Sequence, residues 1–501
     1  MSKLNKDILF LIFEELQKNS KSLFSCLLVN RLWCETVIPI LWRNPWCYNS
    51  INYRIKSSLF IIISHYLIDD IKEFITNQRI QLPSCSNQSL LFDYLSFCRS
   101  INVDIINDII SIGSPLAYNQ FFMQQKFYYL FMKKCPELKY FDMMSIKHQI
   151  FYIPEAMVRL ESLCELRCDT IIDSSYFYGL SQFCKYIQRL LIVSMNPKPN
   201  HGIIKLIEVQ KKLKHFEWVD NFDDDYTDYD YDPYEELLLA LEKKAESLNY
   251  LKIVFFYLCN YEHTLFQDML PKFDKLKVLI IDDYISFDEK QLEKLKLHEL
   301  EVLNIERNKI NVISSIIENS GRRLKKVLFD PNNIKYEPFN FNEGSLINFI
   351  RKIYENCPLI EYLSIAFSPS EEHFVELEKL LKICKNLKSL LLIIIFDNEE
   401  DTYEDYLKNG KELLKMLIRS SPNNFKEIRF CYKFKFSSEI LKEFLEKWNG
   451  RHAITLFTTE NLGENYIYKE LTNKYKRDGV IKDFKYLPYV DLTEYITEIC
   501  F

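Results

Sequence analysis

The chain has 501 residues, 48% hydrophobic and 27% charged, which is ordinary for a water-soluble protein and long enough for several domains or one repeat array. Its net charge of −6, with Lys and Arg scattered, leaves no electrostatic footprint for nucleic acid. The longest apolar run, Leu390 to Phe396, is far short of the roughly 20 residues that cross a bilayer, and the nine glycines count against glycine-cradled phosphate sites.

The first informative stretch is Leu4 to Trp42, which reads as three short helices. Asn5 can cap the first, with Asp7 in its first turn where a carboxylate suits the helix dipole. Ile8, Ile12 and Leu16 recur on one face, and Leu9 and Phe13 form a second stripe beside it. Leu23, Phe24, Leu27 and Leu28 open a second helix after Ser22, and Trp33, Val37, Ile40, Leu41 and Trp42 line a third. A unit of about 40 residues cannot bury this much apolar surface within itself, so something else must cover the remainder. The cover is either the rest of the chain or a second molecule.

This order of residues, with Val29-Asn30-Arg31-Leu32-Trp33 and the Ile12-Phe13 pair as its most specific parts, resembles an F-box, the three-helix segment that docks on the Skp-type adaptor of cullin–RING ubiquitin ligases. The resemblance covers under a tenth of the chain and departs from the family at its start, where Asn5 follows Leu4 in place of Pro. It implies Leu4, Ile8, Leu9, Ile12, Phe13, Leu16, Leu23, Leu27, Val29 and Trp33 as the docking residues.

Beyond Pro45 come apolar-periodic helices around Leu59 to Phe74, and then a hexad, apolar-x-x-apolar-x-apolar, that recurs nearly to the end. It is read first at Phe92/Leu95/Phe97 and returns from Leu138/Phe141/Met143 to Phe425/Ile428/Phe430, most starts being 24 to 28 residues apart. Helical spacing fills the gaps, as in Phe374/Leu377/Leu381 and Leu441/Phe444/Leu445/Trp448. A short strand plus a helix at this period resembles leucine-rich repeats, in which stacking neighbours share one continuous core. The expected fold class is α/β: a three-helix F-box followed by a curved leucine-rich-repeat solenoid, parallel strands concave and helices convex. The expected divisions are a docking module at 1–46, a helical connector and N-terminal cap at 47–134 with a first repeat-like strand near 92–97, the repeats at 135–458, and a C-terminal cap at 459–501.

Residues one, four and six of the hexad should face the core, leaving three and five on the concave side. That side then carries Arg189, His215, Tyr250, Val278, Ile280, Val302, Leu328 and Tyr362, a charged rim around an apolar centre, expected either to bind a protein target or to be a plain floor. The acidic stretches 220–236 and 397–405 read either as solvated loops or as a negative rim selecting basic partner segments. Asp228-x-Asp230-x-Asp232 is no EF-hand, because Pro233 and Leu239 stand where Gly and Glu are required. The fourteen cysteines show no CxxC pair and read as small buried hydrophobes of a reduced, cytoplasmic or nuclear protein.

The eight histidines have no metal-ligand spacing, and the nucleophile-elbow and phosphate-loop motifs are absent. The expectation is a protein with no catalytic residues, metal or cofactor and with no membrane or nucleic-acid partner. The layout resembles the non-catalytic substrate receptors of SCF-type ligases, which implies a Skp-type adaptor, cullin through it, and an unknown protein target. The alternative is a leucine-rich-repeat scaffold with no role in ubiquitin transfer.

Overall fold

The structure, a computed structural model, describes residues 4–17, 19–47, 53–67, 89–113, 117–196, 198–222, 232–255, 264–282, 289–306, 308–329, 343–394, 402–431, 435–458 and 466–486. The chain divides into two compact units, Met1–Lys244 and Ala245–Phe501.

The first unit opens with α1 (Lys6–Glu15), α2 (Ser20–Cys26) and α3 (Arg31–Arg43), each started by an asparagine. The side chains of Asn5, Asn19 and Asn30 accept from the backbone N–H groups of Asp7, Ser22 and Trp33 at 3.0–3.1 Å, satisfying donors that a helix start leaves unpaired. The second helix therefore begins ahead of Ser22, because Asn19 is the better cap. After α4 (Tyr53–His65) the chain reaches β1 (Ser100–Asn102), α5 (Val103–Gly113) and α6 (Ala117–Lys134). Strands β2 (Tyr140–Asp142), β3 (Glu165–Asp169), β4 (Arg189–Ser194) and β5 (His215–Asp220) follow, and the helices Ala156–Glu161, Ser174–Phe183, His201–Val209 and Glu235–Glu242 come after them in turn. Every strand pairs parallel with its predecessor, in register at the hexad's fourth residue: Ile101, Phe141, Leu166, Leu190 and Phe216 line up and are buried.

The second unit continues the pattern with β6 (Tyr250–Val254), β7 (Val278–Asp282), β8 (Val302–Glu306), β9 (Lys326–Leu328), β10 (Tyr362–Phe367), β11 (Ser389–Ile394), β12 (Glu427–Cys431), β13 (Ile454–Thr458) and β14 (Ile481–Tyr486). They too form a parallel ladder in strict chain order. A parallel neighbour requires a crossover, and the helices Glu371–Ile383, Tyr403–Ser420 and Ser438–Trp448 supply it. One backbone detail ties successive repeats together. The carbonyl of the residue before most strands accepts two N–H groups from the next repeat, as Arg99 does from Lys139 (2.7 Å) and Tyr140 (3.1 Å) and Lys325 from Glu361 (2.7 Å) and Tyr362 (3.0 Å). The architecture is an α/β strand–helix repeat array, consistent with a leucine-rich-repeat solenoid.

Two expectations about its extent are corrected. The segment near 92–97 is not a strand: Tyr94–Ser96 is a single 3-10 turn. The N–H groups of Ser96, Phe97 and Cys98 are taken by the carbonyls of Asp93, Tyr94 and Leu95, so none is left for a ladder. The true first hexad is Cys98/Ile101/Val103, all buried, whose small leading cysteine hid it. At the other end the sheet runs past residue 458, because Leu456 pairs with Phe484 and the helix Tyr466–Arg477 supplies one more crossover.

Close helix packing constrains one glycine in particular. A Cβ on Gly410, inside the helix Tyr403–Ser420, would sit 1.9 Å from the carbonyl oxygen of Lys435. Gly410→Ala is expected to destabilise the second unit by about 1–3 kcal/mol through overpacking, read as a fall in the melting temperature of the full chain. An unchanged melt would show that the turn at Lys435 gives way freely. Cys135, Cys184, Cys357 and Cys384 are buried free thiols packed as small apolar groups, and burial pushes Cys184 and Cys384 up to about 12. No helix among the described residues is long and apolar enough to cross a membrane.

Candidate functional site

The helices α1 to α3 present apolar surface in two directions, and the structure separates them. Inward, Leu9 and Phe13 of α1 and Leu23 of α2 are buried. Phe13 meets Trp33 edge-to-face at 5.2 Å, a favourable aromatic geometry. Both Arg43 guanidinium arms reach Glu14 (2.6 and 3.2 Å), fixing the end of α3 against α1. The far side of α3 is sealed by this same unit: Trp42 packs on Tyr94 at 4.6 Å, Trp46 donates its indole N–H to the carbonyl of Ser100 (3.0 Å), and Arg99 N–H donates to Arg43 O (2.9 Å).

Outward, Leu4, Ile8, Leu11 and Ile12 make an exposed stripe along α1, and Phe24, Leu28 and Val29 a second one at the end of α2, with Leu28 89% exposed. The ten residues expected to dock therefore divide by position. Leu4, Ile8, Ile12 and Val29 are exposed, Leu16, Leu27 and Trp33 are half-buried, and Leu9, Phe13 and Leu23 lie inside the module. Phe10, Leu11, Phe24 and Leu28 are exposed apolar residues that the resemblance does not single out. Every residue from Ile8 to Phe13 is apolar, so helical spacing alone cannot say which stripe faces α3.

The sheet face turned away from the helices differs between the units. In the first it is polar and partly open, with Tyr140 and Arg167 exposed. Arg167 Nη1 donates to Asp142 Oδ2 (3.0 Å), Arg189 lies between Glu165 (3.6 Å) and Glu217 (3.4 Å), and His215 Nε2 sits 2.5 Å from Glu217 Oε1. Burial raises the Glu165 carboxyl, an effect that Arg189 opposes. Arg189 and His215 thus belong to a lattice of cross-strand ion pairs.

In the second unit the expected open anchor patch is corrected. Tyr250, Val278, Ile280 and Val302 form a buried apolar cluster, Ile280 being 4% and Val302 0% exposed. Val278 lies directly between Tyr250 and Val302, so these apolar side chains abut along the sheet where the matching positions of the first unit carry charged ones. Leu328 is buried as well, and Tyr362 stacks under the Lys326 ammonium at 4.6 Å. These are packing positions.

The described ends of the acidic stretches are structural. Asp220 is buried, accepting from the Trp218 indole (2.8 Å) and the Tyr234 hydroxyl (2.5 Å). Asp405 and Thr402 form a capping box that starts the helix Tyr403–Ser420. The remainder, 223–231 and 395–401, lies outside the described residues.

No protein-family model matches the chain, and no curated protein matches it. Among solved structures it is similar to the yeast Rad7–Elc1 complex (13% identity over 82% of this chain and 94% of that one, TM-score 0.36). It is also similar to the leucine-rich-repeat-containing protein LegL7 from Legionella pneumophila (12%, 72% and 96%, TM-score 0.28). A third is a protein from Bacteroides fragilis (12%, 62% and 69%, TM-score 0.29). These scores are low, and the functional reading rests on the chain's own geometry.

Proposed function

We propose that the chain is a non-catalytic adaptor of an SCF-type ubiquitin ligase, in which α1 and α2 dock on a Skp-type adaptor, cullin joins through it, and the repeats hold a protein target. One observation carries this reading: the module keeps Leu9, Phe13 and Leu23 for its own core while leaving eight large apolar residues, Leu4, Ile8, Phe10, Leu11, Ile12, Phe24, Leu28 and Val29, in water. Exposed apolar surface of that density marks a protein contact. The Asn5 cap supports it, because it starts α1 where the F-box family uses Pro, so the departure leaves the helix intact.

Function then follows from proximity. Holding a target on a scaffold joined to the transferring enzyme raises its effective concentration there, with no chemistry needed from the scaffold. The target contact is assigned to the open polar face of the first unit, around Tyr140, Arg167 and Arg189, since the corresponding face of the second unit is packed shut. The full chain, mixed with a purified Skp-type adaptor, is expected to form a stoichiometric complex on size exclusion. Failure to do so would leave a repeat scaffold with no role in ubiquitin transfer.

A further inference from the structure

Two adjacent turns of the first unit carry a cluster of positive charge. Lys185 and Tyr186 lie between the helix Ser174–Phe183 and β4, and Lys211, Lys212 and Lys214 between the helix His201–Val209 and β5. The turns stack directly: the Lys211 N–H donates to Lys185 O and the Lys214 N–H to Gln188 O, both at 2.9 Å. Neighbouring strands lie about 5 Å apart, so the four lysines crowd one short edge of the sheet.

All four lysines are exposed, and among the described residues none has a carboxylate within ion-pair distance. Turns of other repeats in this unit are neutralised, Lys139 by Glu137 (2.9 Å) and Lys243 by Glu208 (2.7 Å). Lys211 and Lys212 are consecutive, yet both ammonium groups lie over the ring of Tyr186, 5.6 and 5.4 Å from its centroid. The ring, 44% exposed, gathers two like charges whose repulsion an incoming anion would relieve.

The kind of anion follows from the type and extent of the charge. A single phosphate is best gripped by the planar fork of arginine, and Arg189, which opens β4, already lies between Glu165 and Glu217. Ammonium groups are point charges, and four of them spread over two turns suit several separate carboxylates. A nucleic acid or an anionic membrane presents a long field of charge, which the chain's net −6 repels and two turns are too short to track.

We propose that this edge binds an acidic peptide segment, a short run of Asp or Glu whose carboxylates spread over Lys185, Lys211, Lys212 and Lys214. The inference rests on the target-holding role proposed above and supplies the target's chemistry. Arg189 follows Gln188 directly, so the lysine edge borders the open face assigned to the target.

The test titrates the full chain into a fluorescein-labelled tetraglutamate peptide and reads anisotropy. Saturable binding that weakens as salt rises is expected, with the tetraglutamine peptide binding about tenfold or more weakly. Lys211→Glu combined with Lys212→Glu should weaken tetraglutamate binding by about tenfold or more. Tyr186→Ala, which leaves the net charge alone, should weaken it about threefold. All three side chains are exposed, so the melting temperature should move little. Lys411→Glu combined with Lys415→Glu, exposed positions in the second unit, changes the net charge equally and should bind as the wild-type chain does. The assignment is overturned if the tetraglutamine peptide binds equally well, if the Lys211 and Lys212 variant or Tyr186→Ala retains full affinity, or if the second-unit control loses it. A phosphoserine peptide that binds more than tenfold tighter than tetraglutamate would also overturn it, making phosphate the recognised group. Complex formation with the Skp-type adaptor, measured on the same samples, should be unaffected by the lysine changes. A chain that forms that complex but does not bind tetraglutamate overturns this inference and leaves the adaptor reading standing.

Discussion

Ile280→Asp is expected to unfold part of the second unit at temperatures the wild-type chain tolerates. Ile280 is buried among Tyr250, Val278 and Val302, on a strand whose other face is also buried at Leu279 and Ile281. A carboxylate there is taken out of water, and even with Lys252 directly opposite on β6 it destabilises by about 3 kcal/mol. In a unit of this size that lowers the melting temperature by roughly 10 °C. In a repeat array the loss is shared mainly with the neighbouring repeats, β6 to β8, so hydrogen exchange should rise there first. The hexad reading, which leaves Ile280 on an open floor, expects the opposite: partner capture lost and thermal unfolding little changed. A calorimetric scan separates the two, and an unshifted transition would mean that this face is open to solvent.

The second large effect concerns the helical module. Ile8→Asp combined with Ile12→Asp is expected to abolish binding of a Skp-type adaptor, with each change costing about 2 kcal/mol or more if these residues are centres of the contact. Together that is on the order of a thousandfold in affinity. Both side chains are exposed on α1, so the melting temperature should move little. Leu28→Asp belongs to the same class. Phe13→Asp is the contrasting control: at 1% exposure, packed on Trp33, it should unfold the module and lose the adaptor for a different reason. Circular dichroism and calorimetric titration on the same samples distinguish these outcomes. A double variant that binds the adaptor as tightly as the wild-type chain would remove the docking assignment.

These contrasts show where the sequence is readable. The strand positions were legible because a parallel repeat repeats its burial. The fourth residues Phe141, Leu166, Leu190, Phe216, Leu251, Leu279, Leu303, Leu363, Leu390 and Ile428 are all buried, as stacking of strand-plus-helix units at a 24–28-residue period requires. Copies whose leading residue is small do not stand out in the sequence. Cys98 opens the first, and at β13 Ala453 and Thr458 stand where large apolar residues are usual, so neither announces itself. The turn at Tyr94–Ser96 imitates the hexad because Phe92, Leu95 and Phe97 satisfy the spacing, and spacing carries no information about where amide protons go.

The sequence by itself determined the repeat period, the inward-facing hexad positions, the three-helix opening with Asn5 as its first cap, and the excess of apolar side chains in that opening. Each of these is a local or periodic property, set by backbone geometry and by the demand that apolar surface be covered. Only the tertiary structure decided which of two apolar stripes on α1 looks outward, because that depends on where α3 and the Ser100 strand lie rather than on any spacing within α1. Only it decided that Arg189 and His215 sit in an ion-pair lattice while Val278 and Ile280 are packed shut, because strand register and neighbouring side-chain volume set the exposure of a sheet face.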